Sequence, residues 1–213
     1  MLVKSFVSLV AVALLLIPVA TLAQQADYKR YTSLAEALRD PAAVRRLDLS
    51  GQGLTQLPTS VTRFTNLLEL SLSDNYLTAL RPEIGKLKKL RGLALNGNKL
   101  TSLPPEIGAL SNLDRLVLSN NSLTSLPPQI GKLINLTLLI ADGNRLATLP
   151  AEISGLRKLD SIVLLRNPIT TLPAEMSRMK SLTEITIGAE KITTEEKARI
   201  KKLLPNTQIA YGP

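Results

Sequence analysis

The sequence predicts an α/β fold of the solenoid kind, in which stacked coils of chain each add one strand to a parallel sheet. Three observations carry this prediction. Apolar residues make up 45% of the 213 residues but aromatic residues only 3%, and leucine dominates the rest. An apolar pattern returns every 23 residues, without insertion, from Val44 to Ile192. Proline recurs in the second half of six consecutive repeats. A core built from one residue type at a fixed period is typical of stacked repeats.

Residues 1–23 have the features of an export signal. Lys4 supplies a positive charge, residues 6–20 form an apolar run, and Thr21 and Ala23 place small side chains before a polar pair. The run is shorter than the roughly 20 apolar residues of a bilayer-spanning helix. We therefore expect a signal peptide that is cleaved after Ala23, and a secreted or periplasmic protein with no transmembrane segment after cleavage. A retained membrane anchor is the alternative.

The segment 24–43 is predicted to cap the first repeat with a short helix. Ser33 and Glu36 have the spacing of a capping box, and Pro41 limits the helix to a few residues. The apolar residues of this helix fall on one face: Leu34, Ala37 and Leu38. They would cover the apolar end that a stack otherwise exposes to water.

Residues 44–192 are predicted to form seven repeats, each beginning with a strand. Counted from Val44 as position 1, the columns at positions 1, 4, 6 and 11 are apolar in all seven units. Position 4 holds Leu47, Leu70, Leu93, Leu116, Leu139, Ile162 and Ile185. Positions 4 and 6 alternate with mostly polar residues, as a half-buried strand requires. Proline disfavours a long helix in the second half, so we expect extended chain with short 3₁₀ turns there.

An amide column follows the strands at position 9. It holds Gln52, Asn75, Asn98, Asn121, Asn144 and Asn167, with Glu190 in the last repeat. A stacked turn has backbone groups cut off from water, and a side-chain amide can both donate to them and accept from them. We interpret the column as a structural ladder. A polar active site is the rival interpretation, and the regular recurrence disfavours it.

The segment 193–213 is predicted to cap the last repeat. Thr193 and Glu196 repeat the capping-box spacing, and Pro205 ends the helix that follows. This helix directs three apolar residues inward: Ile200, Leu203 and Leu204. Residues 207–210 are expected to add one last strand.

The repeated pattern L-x-x-L-x-L-x-x-N-x-L-x-x-L-P-x-x-I-x-x-L, found from Val44 to Leu204, resembles the 23-residue leucine-rich repeat. In detail it is similar to exported, disulfide-free bacterial members and to the intracellular scaffold type. Gln52 and Glu190 depart from asparagine, and Ala141 is a smaller core residue than the usual leucine. The resemblance implies a right-handed arc whose concave face is lined by the parallel sheet and binds proteins or other macromolecules.

Cysteine and histidine are absent from the chain. Their absence excludes disulfides, thiolate chemistry, His-based triads and metal sites built on either residue. An exported protein of this size without disulfides is also more typical of bacteria than of animals. Asp48 and Glu69 fall on adjacent strands, as the paired carboxylates of a glycosidase would, but no tryptophan, long loop or insertion accompanies them. We expect no enzyme activity, no cofactor and no metal.

The concave residues of the fourth to sixth strands form the candidate binding site, which we call the central patch. Other strands carry mostly polar or small residues there, whereas these strands carry Val117, Leu138, Ile140, Val163 and Leu165. Arg115, Asp142 and Arg166 edge the patch. Neighbouring strands lie about 4.8 Å apart, so we expect the five side chains to be contiguous and free to meet a protein partner. Compensation for the small Ala141 is the alternative interpretation.

The chain is basic, with a formal net charge of +9. Basic residues collect off the strands: Lys86, Lys88, Lys89, Arg157, Lys158, Arg178, Lys180, Lys197, Arg199, Lys201 and Lys202. We interpret them as a solvated flank. Attachment to an anionic envelope polymer is the functional alternative and would make the protein a structural component of the envelope. Nucleic acid is not expected as a partner, because an exported protein does not meet it and no aromatic residues interleave with the basic ones.

Overall fold

The computed structural model describes residues 28–212, and the predicted signal peptide lies outside this range. In the described part, nine strands form one open sheet in chain order, and every neighbouring pair is parallel. The predicted α/β solenoid is confirmed. No helix within residues 28–212 is long and apolar enough to cross a bilayer.

Besides the seven predicted strands of the repeats, the sheet has one further strand at each edge. The strands are β1 (Arg30–Tyr31), β2 (Arg46–Asp48), β3 (Glu69–Ser71), β4 (Gly92–Ala94), β5 (Arg115–Val117), β6 (Leu138–Ile140), β7 (Ser161–Leu164), β8 (Glu184–Gly188) and β9 (Gln208–Gly212). The strand β1 was not predicted from the sequence, because it is only two residues long and precedes the first repeat. The last strand begins one residue later than the expected 207–210, because Thr207 closes the preceding turn through its backbone N–H to Leu204 O. It ends later because its pairing with β8 continues to Gly212.

Six five-residue 3₁₀ turns make the convex side, as the proline column predicts. They are Thr59–Arg63, Pro82–Lys86, Pro105–Ala109, Pro128–Lys132, Ala151–Gly155 and Ala174–Arg178. Proline fixes φ near the value that a turn needs at its start, and it lacks the N–H that the turn would leave unpaired. Successive turns stack closely. A Cβ on Gly108 would lie only 2.5 Å from the carbonyl oxygen of Gln129 in the next turn.

Two α-helices flank the sheet, α1 (Leu34–Ala37) and α2 (Thr194–Leu203). Each begins with half of the predicted capping box. The hydroxyl groups of Ser33 and Thr193 accept from the backbone N–H three residues ahead, at 3.4 and 3.2 Å. The returning half is not made, because the carboxylates bind elsewhere: Glu36 binds Lys29 at 2.6 Å, and Glu196 binds the neighbouring coil.

Glu196 ties α2 to the coil before it. Its Oε1 accepts from Thr171 Oγ1 at 2.9 Å and from Leu172 N at 3.2 Å, and its Oε2 accepts from Arg199 Nε at 2.6 Å. The hydrogen bond from Arg199 is the main reason that the pKa of Glu196 falls to about 2, with the other two contacts acting in the same direction.

The core is one continuous column of leucine and isoleucine between the sheet and the 3₁₀ turns, running from Ala37 to Leu204. Positions 4 and 6 of the strands point into it. Ala141 is fully buried there. Phe64 is the one phenylalanine or tyrosine in residues 28–212 that is fully buried.

The amides at position 9 form hydrogen bonds between adjacent coils. Asn98 Nδ2 donates to the carbonyl oxygens of Leu72 and Leu95 at 2.9 and 3.0 Å, and Asn98 Oδ1 accepts from Leu77 N at 3.0 Å. The corresponding contacts are made by Asn75, Asn121, Asn144 and Asn167. These side chains satisfy the backbone groups where the chain leaves the strand.

Gln52, at the first position of the same column, makes a different contact. No repeat precedes it to offer the second carbonyl, and its longer side chain donates through Nε2 to Thr32 O at 2.7 Å. Gln52 therefore ties the amino-terminal segment to the stack instead of joining two repeats.

Candidate functional site

The concave face is built from repeat positions 3 and 5, which alternate with the core positions along each strand. Position 3 reads Arg46, Glu69, Gly92, Arg115, Leu138, Ser161 and Glu184, and position 5 reads Asp48, Ser71, Ala94, Val117, Ile140, Val163 and Thr186. Residues at the same position are neighbours on adjacent strands. Position 5 thus changes from charged and small residues on β2–β4 to apolar ones on β5–β7, and Leu138 adds an apolar residue at position 3 of β6.

The structure brings the middle of the central patch together. Val117, Ile140 and Val163 are register partners on β5, β6 and β7, and Leu138 lies beside Ile140 on the same face of β6. Val117, Leu138 and Val163 are half-buried. They form an apolar surface that remains open to a partner.

The expectation that Ile140 is free to meet a partner is wrong. Its side chain is 4% exposed although it lies on the concave side, outside the leucine core. Its neighbours across the strands, Val117 and Val163, flank it on both sides. Ile140 therefore supports the patch from within, and a charge at this position would be costly to bury.

Leu165 extends the patch toward the carboxyl-terminal end. It lies at position 7, where β8 and β9 carry Gly188 and Gly212 instead of larger residues. A Cβ on Gly212 would lie 2.6 Å from Leu165 Cδ2. The half-buried Leu165 side chain thus fills the space that the last strand leaves open.

The predicted polar edge is paired within the protein. Arg166 Nη2 contacts Asp142 Oδ2 at 2.5 Å and Asn120 Oδ1 at 3.3 Å. Arg115 Nη2 contacts Glu69 Oε1 at 3.1 Å, and its Nε lies 3.3 Å from Asp114 Oδ1. Asn120 and Arg166 belong to position 8, where both have positive φ and close the turn after the strand.

A depression of about 470 Å³, which was not predicted from the sequence, overlaps the central patch and is lined by residues of β1 to β6. We call it the concave depression. Its floor includes Ser71, Gly92 and Ala94, and its apolar wall is formed by Val117, Leu138 and Ile140. Its charged rim holds Arg30, Arg46, Asp48, Glu69 and Arg115. The small residues of β4 are visible in the sequence, but only the register places them between these two walls.

The carboxylates of Asp48 and Glu69 do not form a pair. Asp48 contacts Arg30 and accepts from Ser50 N at 2.9 Å. Glu69 bridges Arg46 and Arg115, at 2.8 and 3.1 Å. Each carboxylate is therefore held by guanidinium groups, unlike the two facing carboxylates of a glycosidase. In residues 28–212 no group of three or more acidic side chains is arranged to hold a metal ion.

Comparison with known proteins agrees with the repeat pattern. The family model described as "Leucine-rich repeat region" matches residues 75–206, more than half of the chain. A second model, "Leucine rich repeat", matches residues 42–100. None of the curated proteins matches the chain.

The solved structures similar to this one include a bacterial leucine-rich-repeat protein and a plant receptor. A leucine-rich-repeat protein of Leptospira interrogans is 31% identical, with a TM-score of 0.52 over 86% of this chain and 58% of that chain. The plant peptide hormone receptor RGFR1, solved in complex with RGF2, is 36% identical, with a TM-score of 0.63 over 75% of this chain and 26% of that chain. The chain thus spans under three fifths of the Leptospira protein and about a quarter of the receptor chain. By its repeats and its fold, the chain belongs to the leucine-rich-repeat family.

Proposed function

We propose that this protein is an exported, bacterial recognition module that binds a protein partner through its concave face and catalyses no reaction. The observation that carries the proposal is the run of apolar side chains on β5–β7, on a face that is otherwise charged or small. Val117, Leu138 and Val163 are half-buried without belonging to the leucine core. Apolar side chains at the centre of a polar surface are typical of interface hot spots.

Family membership supports a binding role. One similar structure is a plant peptide hormone receptor in complex with RGF2, and this likeness supports a polypeptide partner for the present chain. The family match and the similar Leptospira protein are compatible with the proposed bacterial origin. Export rests on residues 1–23 of the sequence alone.

The compensation hypothesis makes a different prediction about the central patch. If these side chains only offset the small Ala141, their loss should lower stability and leave binding intact. Ala141 lies at position 6 and points into the core, whereas Val163 points to the opposite face of the sheet. This geometry favours a binding role for Val163, because a side chain on one face cannot fill space on the other.

The proposal is tested by affinity capture from envelope extract of the source organism, with two matched variants. Val163→Glu puts a charge in the central patch, and Ile134→Glu puts the same charge at a residue that is 49% exposed and outside the concave positions. We expect Val163→Glu to lower the amount of partner captured by about tenfold or more, while Ile134→Glu captures as much as the wild type and both variants melt at similar temperatures. Equal capture by all three proteins would contradict concave-face binding.

The basic flank gives the second candidate function, attachment to an anionic polymer. Some of its lysines also serve the fold: Lys88 Nζ donates to Ala109 O at 3.2 Å, and Lys89 Nζ and Lys158 Nζ donate to asparagine side chains at 2.7 and 2.9 Å. Salt separates the two functions in the same capture experiment. Polymer attachment should weaken strongly at a few hundred millimolar salt, because surface charges are screened within about 10 Å at 0.1 M. It should be unaffected by Val163→Glu, which lies on the concave face and not on the basic flank.

A further inference from the structure

The concave depression has a floor of small residues and one high apolar wall. Gly92 and Ala94 occupy positions 3 and 5 of β4, where β5 carries Arg115 and Val117. Gly92 lies beneath the ion pair between Glu69 and Arg115, because a Cβ there would be 3.5 Å from Arg115 Nη2 and 3.7 Å from Glu69 Cγ. The open part of the floor is therefore Ala94, beside the larger Val117. The volume of about 470 Å³ lies within the roughly 300–1,000 Å³ of binding pockets for small ligands.

The rim of the depression has more positive than negative groups. Three arginines, Arg30, Arg46 and Arg115, line it with two carboxylates, Asp48 and Glu69. Three guanidinium groups carry about fifteen N–H donors, and two carboxylates offer about eight acceptor sites. Arg115 also contacts Asp114, but Arg91 shares that carboxylate, so the rim keeps a surplus of positive charge that favours an anionic group.

The trough of the depression crosses five strands, β2 to β6, and the Arg30 side chain from β1 also lines it. Four strand spacings of about 4.8 Å give roughly 19 Å, which an extended chain covers with about six residues at 3.3 Å each. A folded partner could also reach this surface, but only an extended segment follows a shallow trough across the strands.

We propose that the concave depression selects an extended segment of about six residues that places one large apolar side chain over Ala94, against Val117, and a carboxylate beside the arginine rim. The inference rests on the proposed function and names the class of partner for that surface: a polypeptide in which an acidic residue lies near a bulky apolar one.

The probe is a positional-scanning library of N-acetylated hexapeptide amides, selected on the immobilised protein. The peptides that are enriched are then titrated by fluorescence anisotropy. Ala94→Leu fills the floor beside Val117. Ala94→Val is a smaller filling variant that serves if Ala94→Leu does not fold. Arg115→Gln removes one rim charge, and Ile134→Glu is the control outside the concave face.

We expect the wild type to enrich peptides that combine Asp or Glu with Leu, Ile, Met or Phe. Filling the floor should weaken their binding by about tenfold or more with an unchanged melting temperature, and Arg115→Gln should lower the preference for an acidic residue by about tenfold. Ile134→Glu should bind as the wild type does.

The proposed peptide-binding role of the concave depression is refuted if no peptide is enriched, if enriched peptides lack an acidic residue, or if filling the floor leaves their binding unchanged. Failure here is distinguishable from failure of the proposed function. If Val163→Glu still abolishes capture of the natural partner, concave-face binding stands without this subsite. If Val163→Glu has no effect either, both proposals fall.

Discussion

Glu196 shows how a single side chain can join a cap to the repeat stack. Its carboxylate accepts hydrogen bonds from Thr171, Leu172 and Arg199. The sequence identified Glu196 as half of a capping box, and the structure turns its side chain toward the preceding coil instead. Spacing along the chain predicted that Thr193 would cap the helix, but only the docking of α2 on the stack determines where the carboxylate goes.

Because the pKa of Glu196 is lowered from 4.5 to about 2 in the folded protein, its ionised form stabilises the fold. This contribution is fully present above pH 4.5, the value in the unfolded chain, and is lost as pH falls toward 2. We expect Glu196→Gln to lower the free energy of unfolding by about 2 kcal/mol at pH 7, and by much less near pH 2. Urea unfolding of both proteins at the two pH values measures this. A difference that does not change with pH would contradict the assignment.

The asparagine ladder supports a second prediction at the residue scale. Asn98→Leu leaves Leu77 N and the carbonyl groups of Leu72 and Leu95 without their side-chain partner. We expect the free energy of unfolding to fall by about 1–3 kcal/mol, as measured by denaturant unfolding. Gln52→Leu is the control and should cost less, because Gln52 is exposed and donates only to Thr32 O. Equal losses in the two variants would argue against the ladder.

The convex turns and the strands differ in how tightly neighbouring elements approach one another. Proline in six of the seven repeats was enough to predict 3₁₀ turns, but the sequence alone did not show how close the turns lie. Gly85, Gly108 and Gly131 recur at the same repeat position, and a Cβ on any of them would come within 3.0 Å of the next turn's backbone. Gly92, on a strand, has no such restriction.

A pair of glycine substitutions tests this difference at the element scale. Gly108→Ala should lower the free energy of unfolding by about 1–3 kcal/mol, since its Cβ would overlap the carbonyl oxygen of Gln129. Gly92→Ala should be neutral or stabilise by up to about 1 kcal/mol, because alanine restricts the unfolded chain and fits the strand. Thermal unfolding of both variants measures the contrast. Similar melting temperatures would show that the turns can separate at no cost.

At the scale of the whole molecule, the period of 23 residues is enough to predict most of the fold. The apolar columns predicted seven strands, the core and the convex turns, because each repeat meets only its neighbours and obeys the same local rules. The first edge strand and the concave depression were harder to predict. β1 lies outside the repeat, and the depression depends on side chains from six strands, whose sizes matter only once the strands are adjacent.

The proposed export of the protein also concerns the whole molecule. We expect the mature protein to begin at Gln24, because Thr21 and Ala23 suit a signal peptidase. Amino-terminal sequencing of protein from the envelope or the medium of the source organism checks this. Recovery of the intact chain with Met1 in a membrane fraction would instead support a retained anchor.

The central claim is that the concave face, not the basic flank, meets the partner. Site-specific photo-crosslinking tests it most directly. Three proteins are made, with a benzophenone side chain in place of Val163, Ile134 or Lys86 and no other change. Each protein is then irradiated in envelope extract. We expect one discrete adduct of defined mass from position 163 and none from positions 134 and 86. An adduct that forms from position 86 and is missing from position 163 would contradict the claim.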